Sequence, residues 1–344
     1  MWSVEYNIAE YKNLLNEIKT QISVSKYNAL KSVNREMIIL YYNIGKMILS
    51  NIEWGNKFID KLAKDLKSDF PGVKGFSVRN LKYMRKFAEE YTDFEFVQQV
   101  VAQIPWGHNI ILMDKVENIE YRKWYIHKAI ENGWSRNILA HQIETNLYSR
   151  QAVSEKLNNF SELLPSIQSD LANETMKDPY VFDFISIKEE IKEAELEKQL
   201  INKITKFLLE LGSGFAFIGN QYHLEVGDED FYIDLLFYHT KLKCYVVIEL
   251  KTGKFKPEYA GKLNFYLSVV DDKLKSKEDS PSIGMILCRE KNRFIAEYSL
   301  KDMTKPIGIS EYKLSKYIPK EYKDKLPKIE ELEKEIADII EEAE

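Results

Sequence analysis

Cysteine is nearly absent: the 344 residues hold two, Cys244 and Cys288. Each falls inside an apolar segment where any small hydrophobe would serve, so neither a disulfide framework nor a zinc site built on cysteine spacing is in play. They read as reduced core residues of a cytoplasmic protein. No apolar stretch approaches the roughly 18 residues of a membrane span, so no membrane association is expected. The opening MWSVEYNIAEYK lacks the basic segment and apolar run of a secretory signal, which again points to the cytoplasm. His108, His127 and His141 have no metal-ligand spacing, and no internal repeat is visible. A strong excess of basic charge is missing too. The net charge of -5 argues against a chain that coats nucleic acid nonspecifically. The two parts differ, however: residues 1–150 carry 21 Lys and Arg against 17 Asp and Glu, whereas the rest carries 28 against 37. Glu330 to Glu344 alone holds eight acids and one lysine, the pattern of a solvated acidic helix.

What is present suggests two domains, since single cores rarely exceed about 200 residues. Residues 1–150 show apolar positions three and four apart throughout and read as helical. One helix is expected from about Asn28 to Ile52, and another from Lys57 to Leu66, before the turn FPGVKG. Ser77 then suits an N-cap, because its hydroxyl can accept from free amides of the first helical turn. Residues 151–186, rich in Ser, Asn, Gln and Asp with Pro165 and Pro179, read as a linker. A helix from about Ile187 to Gly212 opens an α/β domain spanning 187–320, and 321–344 reads as the acidic helix. Beyond Gly212 the period changes to two, giving strands FAFIGNQYHLEV, DFYIDLLFYH and KCYVVIELK. A helix from Pro257 to about Val270 follows, then strands SIGMILC and PIGIS. The expected fold class is therefore α/β: a helical N-terminal domain, then an αβββαβ core with a mixed sheet flanked by helices.

Two acids stand out in that core. Asp234 sits among apolar and aromatic neighbours in FYIDLLFYH, and Glu249 ends CYVVIEL; an unpaired carboxylate in either place would cost several kcal/mol. A hairpin closing around Lys241 and Leu242 sets residue 234 opposite residue 249, with Cβ atoms about 5 Å apart. Neighbouring acids repel unless a proton or cation lies between them, and hard oxygen ligands suit Mg²⁺, with Mn²⁺ as a substitute. Lys251 projects to the same face as Glu249, and the Leu250 carbonyl is a further ligand candidate. A bound divalent ion would lower the pKa of a coordinated water and offset phosphate charge, while the lysine orients the water or stabilises the transition state. The structural alternative is a buried acid answered by backbone amides beside a same-face ion pair.

An acid on one strand followed by acid-x-Lys on the next resembles the PD-(D/E)XK nuclease superfamily. The runs LEKQLINKITKFLLELGSGFAFIGNQYHLEV, FYIDLLFYH, VVIELK and FKPEYAGKLNFYL are similar to the YhcG-like family of bacterial proteins, as are YYNIGKMI, FPGVKGFSVRNLKYMRKF and GWSRNILAHQIE nearer the N-terminus. The resemblance thus covers nearly the whole chain. It implies a restriction-endonuclease-like domain at 187–320 and Mg²⁺-dependent hydrolysis of phosphodiester bonds, with Asp234 and Glu249 as metal ligands and Lys251 in catalysis. It also implies an additional acid from the first core helix. Glu197 is the best placed, sharing a stripe with Ile201, Ile204 and Leu208, while Glu193 and Glu195 are less well placed.

Lys254, Lys256 and Lys262 are candidate phosphate contacts. Gln221 and Tyr259 fall in family-like segments and are assigned site support. Arg79, Lys82 and Arg85 lie on the helix capped by Ser77, beside Asn80 and Lys86, and such a helix can enter a major groove. The N-terminal domain is accordingly read either as a helix-turn-helix-like DNA-binding module or as an oligomerisation module. The first functional reading is a DNA endonuclease, with RNA left open; cutting two strands would call for two centres and hence a homodimer. The competing reading is a DNA-binding or assembly protein that keeps the nuclease fold without turnover.

Overall fold

The computed structural model describes residues 8–51, 56–185 and 192–314. The expected acidic helix at 321–344 lies outside the described residues. The chain divides into two compact units, one within residues 1–140 and the other within 141–325. None of the described helices is long and apolar enough to cross a membrane.

In the first unit, α1 (Ile8–Ser50) begins about twenty residues earlier than the apolar spacing predicts. Residues 11–36 of α1 are almost all exposed, so no buried stripe marks their periodicity. Next come α2 (Asn56–Asp69), α3 (Val78–Glu90), α4 (Phe94–Gln99), α5 (Trp106–Lys115), α6 (Ile119–Asn132) and α7 (Arg136–Glu144). Ser77 caps α3 as expected, its hydroxyl accepting from Asn80 N–H at 3.2 Å. Leu81, Met84 and Phe87 bury one side of α3, each burial stabilising the unit by about 1.5–3 kcal/mol. Close approach of α1 to α3 depends on Gly45, where a Cβ would lie 2.0 Å from the Met84 carbonyl oxygen.

The second unit is built on a mixed seven-stranded sheet. Its strands are β1 (Leu157–Asn158), β2 (Tyr180–Val181), β3 (Phe215–Val226), β4 (Glu229–His239), β5 (Cys244–Leu250), β6 (Ile283–Cys288) and β7 (Ile307–Lys313). Its helices are α8 (Phe160–Leu163), α9 (Ser166–Thr175), α10 (Glu193–Asn202), α11 (Ile204–Leu211), α12 (Pro257–Lys273) and α13 (Arg293–Leu300). The order across the sheet is β1-β7-β6-β5-β4-β3, with β2 also paired to β7. β3, β4 and β5 run antiparallel, whereas β5, β6 and β7 are parallel. The expected αβββαβ order is therefore present as α10–α11, β3, β4, β5, α12 and β6, with helices on both faces of the sheet.

Alternation along each strand sends side chains to two cores. Leu235, Phe237, Val246, Ile248 and Leu250 pack beneath α10 and α11 with Leu196, Leu200, Phe207 and Leu211. On the other face Leu236, Val247 and Ile286 meet Leu263, Leu267 and Val270 of α12. Both cysteines are buried and free, and burial pushes each thiol up to about 12, as expected of core residues.

Two expectations need correction. Residues 151–186 are not a free-standing linker: β1 and β2 both pair with β7, and Phe160, Met176, Tyr180 and Phe182 join the sheet's core. The strands are two residues long, too short for a period of two to appear in a polar stretch. The helix expected from 187 to 212 is broken at Lys203, whose φ of -120° and ψ of 34° leave the helical region. The Lys203 ammonium donates instead to the Phe184 carbonyl, tying the break to the preceding segment.

Candidate active site

The β4–β5 ladder runs from His239↔Cys244 to Leu235↔Ile248, and its register carries Asp234 to Glu249 as the next facing pair. At that step side-chain bonding replaces backbone pairing: Leu250 N–H donates to Asp234 Oδ2 at 2.9 Å. Across β3 the register sets Gln221 opposite Asp234, between the pairs Asn220↔Leu235 and Tyr222↔Ile233. Gln221 itself has φ 43°, a left-handed conformation rare in a strand, and a register shift lies just before it between Phe217 and Gly219. Three neighbouring strands thus change geometry along one line of residues.

Lys251 is the hub of the charges. Its ammonium lies 3.1 Å from Glu193 Oε2, 3.4 Å from Glu249 Oε2 and 3.9 Å from Asp234 Oδ2. It also donates to the Leu250 carbonyl at 2.9 Å and sits 5.3 Å from the centre of the Tyr259 ring. Tyr259 therefore supports the site through its ring face rather than through its hydroxyl. Burial works to lower the Lys251 pKa, but Glu249, Asp234 and Glu193 outweigh it and hold the ammonium above its usual value.

Glu249 is 1% exposed, and its pKa is raised by burial and by the neighbouring charge of Asp234, against the pull of Lys262 and Lys251. Lys262 is not a free phosphate contact here. One turn into α12, its ammonium reaches Glu249 Oε2 at 3.1 Å and lies 4.9 Å from the Tyr266 ring centre. Sequence position put Lys262 near the site; only the seating of α12 on the sheet reveals its partner.

A cleft of about 450 Å³ is lined by Glu193, Glu197, Asn220, Gln221, Asp234 and Leu250, among others. Glu197 is buried and accepts from Asn220 Nδ2 at 2.9 Å and from Gln221 Nε2 at 2.6 Å. Gln221 thus lines the cleft and holds Glu197. The reading of Glu193 as poorly placed is corrected by its ion pair with Lys251. Glu193 and Glu197 are four apart on α10, so they share a face, a spacing that could have flagged both. Asn220 went unnoticed because nothing in its strand context distinguishes it.

The residues present suit a magnesium-type ion. Asp234 and Glu249 are hard carboxylates, and Glu249 Oε1 is buried without a hydrogen-bond partner among the described residues. Among those residues no three acids cluster closely enough to enclose an ion. The third protein donor considered, the Leu250 carbonyl, is engaged by Lys251.

The remaining basic candidates lie apart from the acids. Lys254 is 3.0 Å from Glu290, and Lys256 is 3.7 Å from Glu258; both lysines are exposed. In the helical unit Arg79 and Lys82 are exposed on α3, with Arg79 5.8 Å from the Tyr83 ring centre. Arg85 is partly buried, and its Nε has no hydrogen-bond partner among the described residues. Asn80 and Lys86 are structural instead: Asn80 bonds Gly75 and Trp106, and Lys86 donates to the Met113 carbonyl.

A family model described as the YhcG PDDEXK nuclease domain matches residues 173–327, and one described as the DUF1016 N-terminal domain matches residues 17–150. The YhcG protein of Escherichia coli (strain K12) is 30% identical over 346 residues, covering 90% of this chain and 92% of that protein. Two solved structures are similar over a smaller share. One is a repair endonuclease from Pyrococcus abyssi, 15% identical with a TM-score of 0.26, covering 38% of this chain and 50% of the other. The second is an EndoMS–dsDNA2 complex, 15% identical with a TM-score of 0.26, covering 37% of this chain and 47% of the other. The match spans about half the length of each of these two structures.

Proposed function

The chain belongs to the YhcG family of PDDEXK nucleases, and from that premise we propose that it is a metal-dependent DNA endonuclease hydrolysing phosphodiester bonds at Asp234, Glu249 and Lys251. The observation that carries the reading is the facing of two carboxylates around one buried lysine, with a Glu249 oxygen that has no hydrogen-bond partner among the described residues. Packing alone gives no reason to assemble such a group, because burying like charges costs more than an apolar replacement would.

In this mechanism Asp234 and Glu249 would hold a divalent ion, Mg²⁺ or Mn²⁺, with Glu197 on the same cleft as an additional acid. When bound, the ion supplies an acidified water and offsets negative charge on a phosphate oxygen. Lys251 stays protonated at neutral pH, since the surrounding acids raise its pKa. Lys251 is placed to orient the attacking water or to donate to the phosphate in the transition state. Tyr259 and Glu193 fix the position of that ammonium, while Asn220 and Gln221 orient Glu197.

The helical unit is assigned to holding the substrate through the exposed Arg79 and Lys82 of α3, with Arg85 beside them, and the catalytic unit through the exposed Lys254 and Lys256. RNA is retained as an alternative substrate. Self-association would supply two centres for a double-strand cut. Ile18, Ile22, Val33, Leu40 and Met47 are exposed and fall on one side of α1, as a self-pairing helix requires.

Cleavage of linear, nicked, branched and single-stranded DNA with Mg²⁺ or Mn²⁺ tests the proposal. Wild type is expected to cut at least one of these, and Asp234→Ala and Lys251→Ala to cut none. Metal-independent binding with no cleavage by the wild type would leave a DNA-binding protein that keeps the fold without turnover.

A further inference from the structure

A second groove, of about 640 Å³, lies at the carboxyl-terminal ends of the parallel strands β5, β6 and β7. Its lining includes Thr252, Gly253, Lys254, Arg289, Tyr312 and Lys313. It begins one residue beyond Lys251, in the region where open α/β sheets bind ligands.

Arg289 is the unusual member. Its guanidinium carbon lies 5.8 Å from the centre of the Tyr312 ring, and no carboxylate is paired with it among the described residues. The backbone is fixed at this point, because Arg289 N–H donates to the Gly253 carbonyl at 3.0 Å and Phe255 N–H to the Glu290 carbonyl at 2.8 Å. Tyr312 is 1% exposed, and its hydroxyl makes no hydrogen bond among the described residues. Burial pushes that hydroxyl up to about 12 against the pull of the Arg289 charge.

A partly buried guanidinium with no counter-charge among the described residues, held over an aromatic ring at a groove, is a donor that a phosphate group satisfies. We propose that Arg289, held over the Tyr312 ring at the groove, binds a backbone phosphate of the nucleic-acid strand next to the one held at Lys251. This rests on the nuclease reading. Lys254 lines the same groove but is exposed and already paired with Glu290, so it contributes less than Arg289.

The test is binding of a fluorescent duplex oligonucleotide to the full chain in EDTA, where nothing is cut, over a series of salt concentrations. Removing one cationic group that neutralises a phosphate makes the dependence of log affinity on log salt shallower by about one. Arg289→Ala is expected to show that change, with affinity roughly tenfold lower at moderate salt. Arg289→Lys should keep the slope. Identical slopes and affinities for wild type and Arg289→Ala would overturn the groove assignment, and would leave the nuclease reading intact if Asp234→Ala still abolishes cleavage. A slope change in a wild type that cuts nothing would instead keep the phosphate site and remove the hydrolysis.

Discussion

Asp234 and Leu250 meet where the β4–β5 ladder ends, the Leu250 N–H donating to Asp234 Oδ2 at 2.9 Å. One carboxylate oxygen therefore replaces a backbone carbonyl, and strand geometry, not side-chain flexibility, holds the acid in place beside Lys251. The consequence is a charge cluster that exists before any ligand arrives, with Asp234 anchored to the backbone.

Removing the hub of that cluster is expected to be costly. Lys251→Met leaves Glu249 buried with Lys262 as its remaining ammonium, and breaking a buried pair this way destabilises by about 3 kcal/mol. A divalent cation can take over part of the lost compensation, so Mn²⁺ should raise the melting temperature of Lys251→Met more than that of the wild type. An equal shift in both proteins would mean that the lysine is not balancing a cation site.

Gln221 carries a different signature. Its left-handed backbone costs about 1–2 kcal/mol in any residue but glycine, and the structure tolerates that cost where Gln221 bonds Glu197. Gln221→Gly is expected to melt no lower than the wild type while cleaving on the order of tenfold more slowly, since Glu197 loses one of its two partners. A large drop in melting temperature would show that Gln221 serves the fold.

The strands and the acid pair were legible in the sequence. Period-two runs bounded by turns located β3, β4 and β5, and the turn at Lys241 and Leu242 set the register that faces residue 234 with residue 249. What escaped depends on tertiary position. The ammonium of Lys262 reaches Glu249 only because α12 lies directly on the sheet, where Gly284 admits Leu263 with no room for a Cβ. Glu193 was set aside because its distance from Lys251 depends on how α10 enters the fold. The register shift before Gln221 leaves no mark on composition, and neither do two-residue strands added to the edge at β7.

Away from the site, His239 makes stability depend on pH. Burial, with the charge of Lys241 adding to it, lowers its pKa to about 4, against 6.5 for an unhindered histidine. Between those values the unfolded chain binds the extra proton, so stability is fully present above about pH 6.5 and falls as pH drops toward 4. The loss amounts to at most about 3 kcal/mol. Urea unfolding at pH 4.5 and 7.5 should show His239→Gln losing less on acidification than the wild type; an equal loss would remove His239 from the account.

The most direct measurement is calorimetric titration of the full chain with Mn²⁺, comparing wild type with Asp234→Ala and Glu249→Ala. Saturable uptake by the wild type that either substitution abolishes, with the fold retained by circular dichroism, is the predicted result. Equal uptake by all three proteins, or none by the wild type, would contradict the claim that these facing carboxylates are held together to bind a divalent cation.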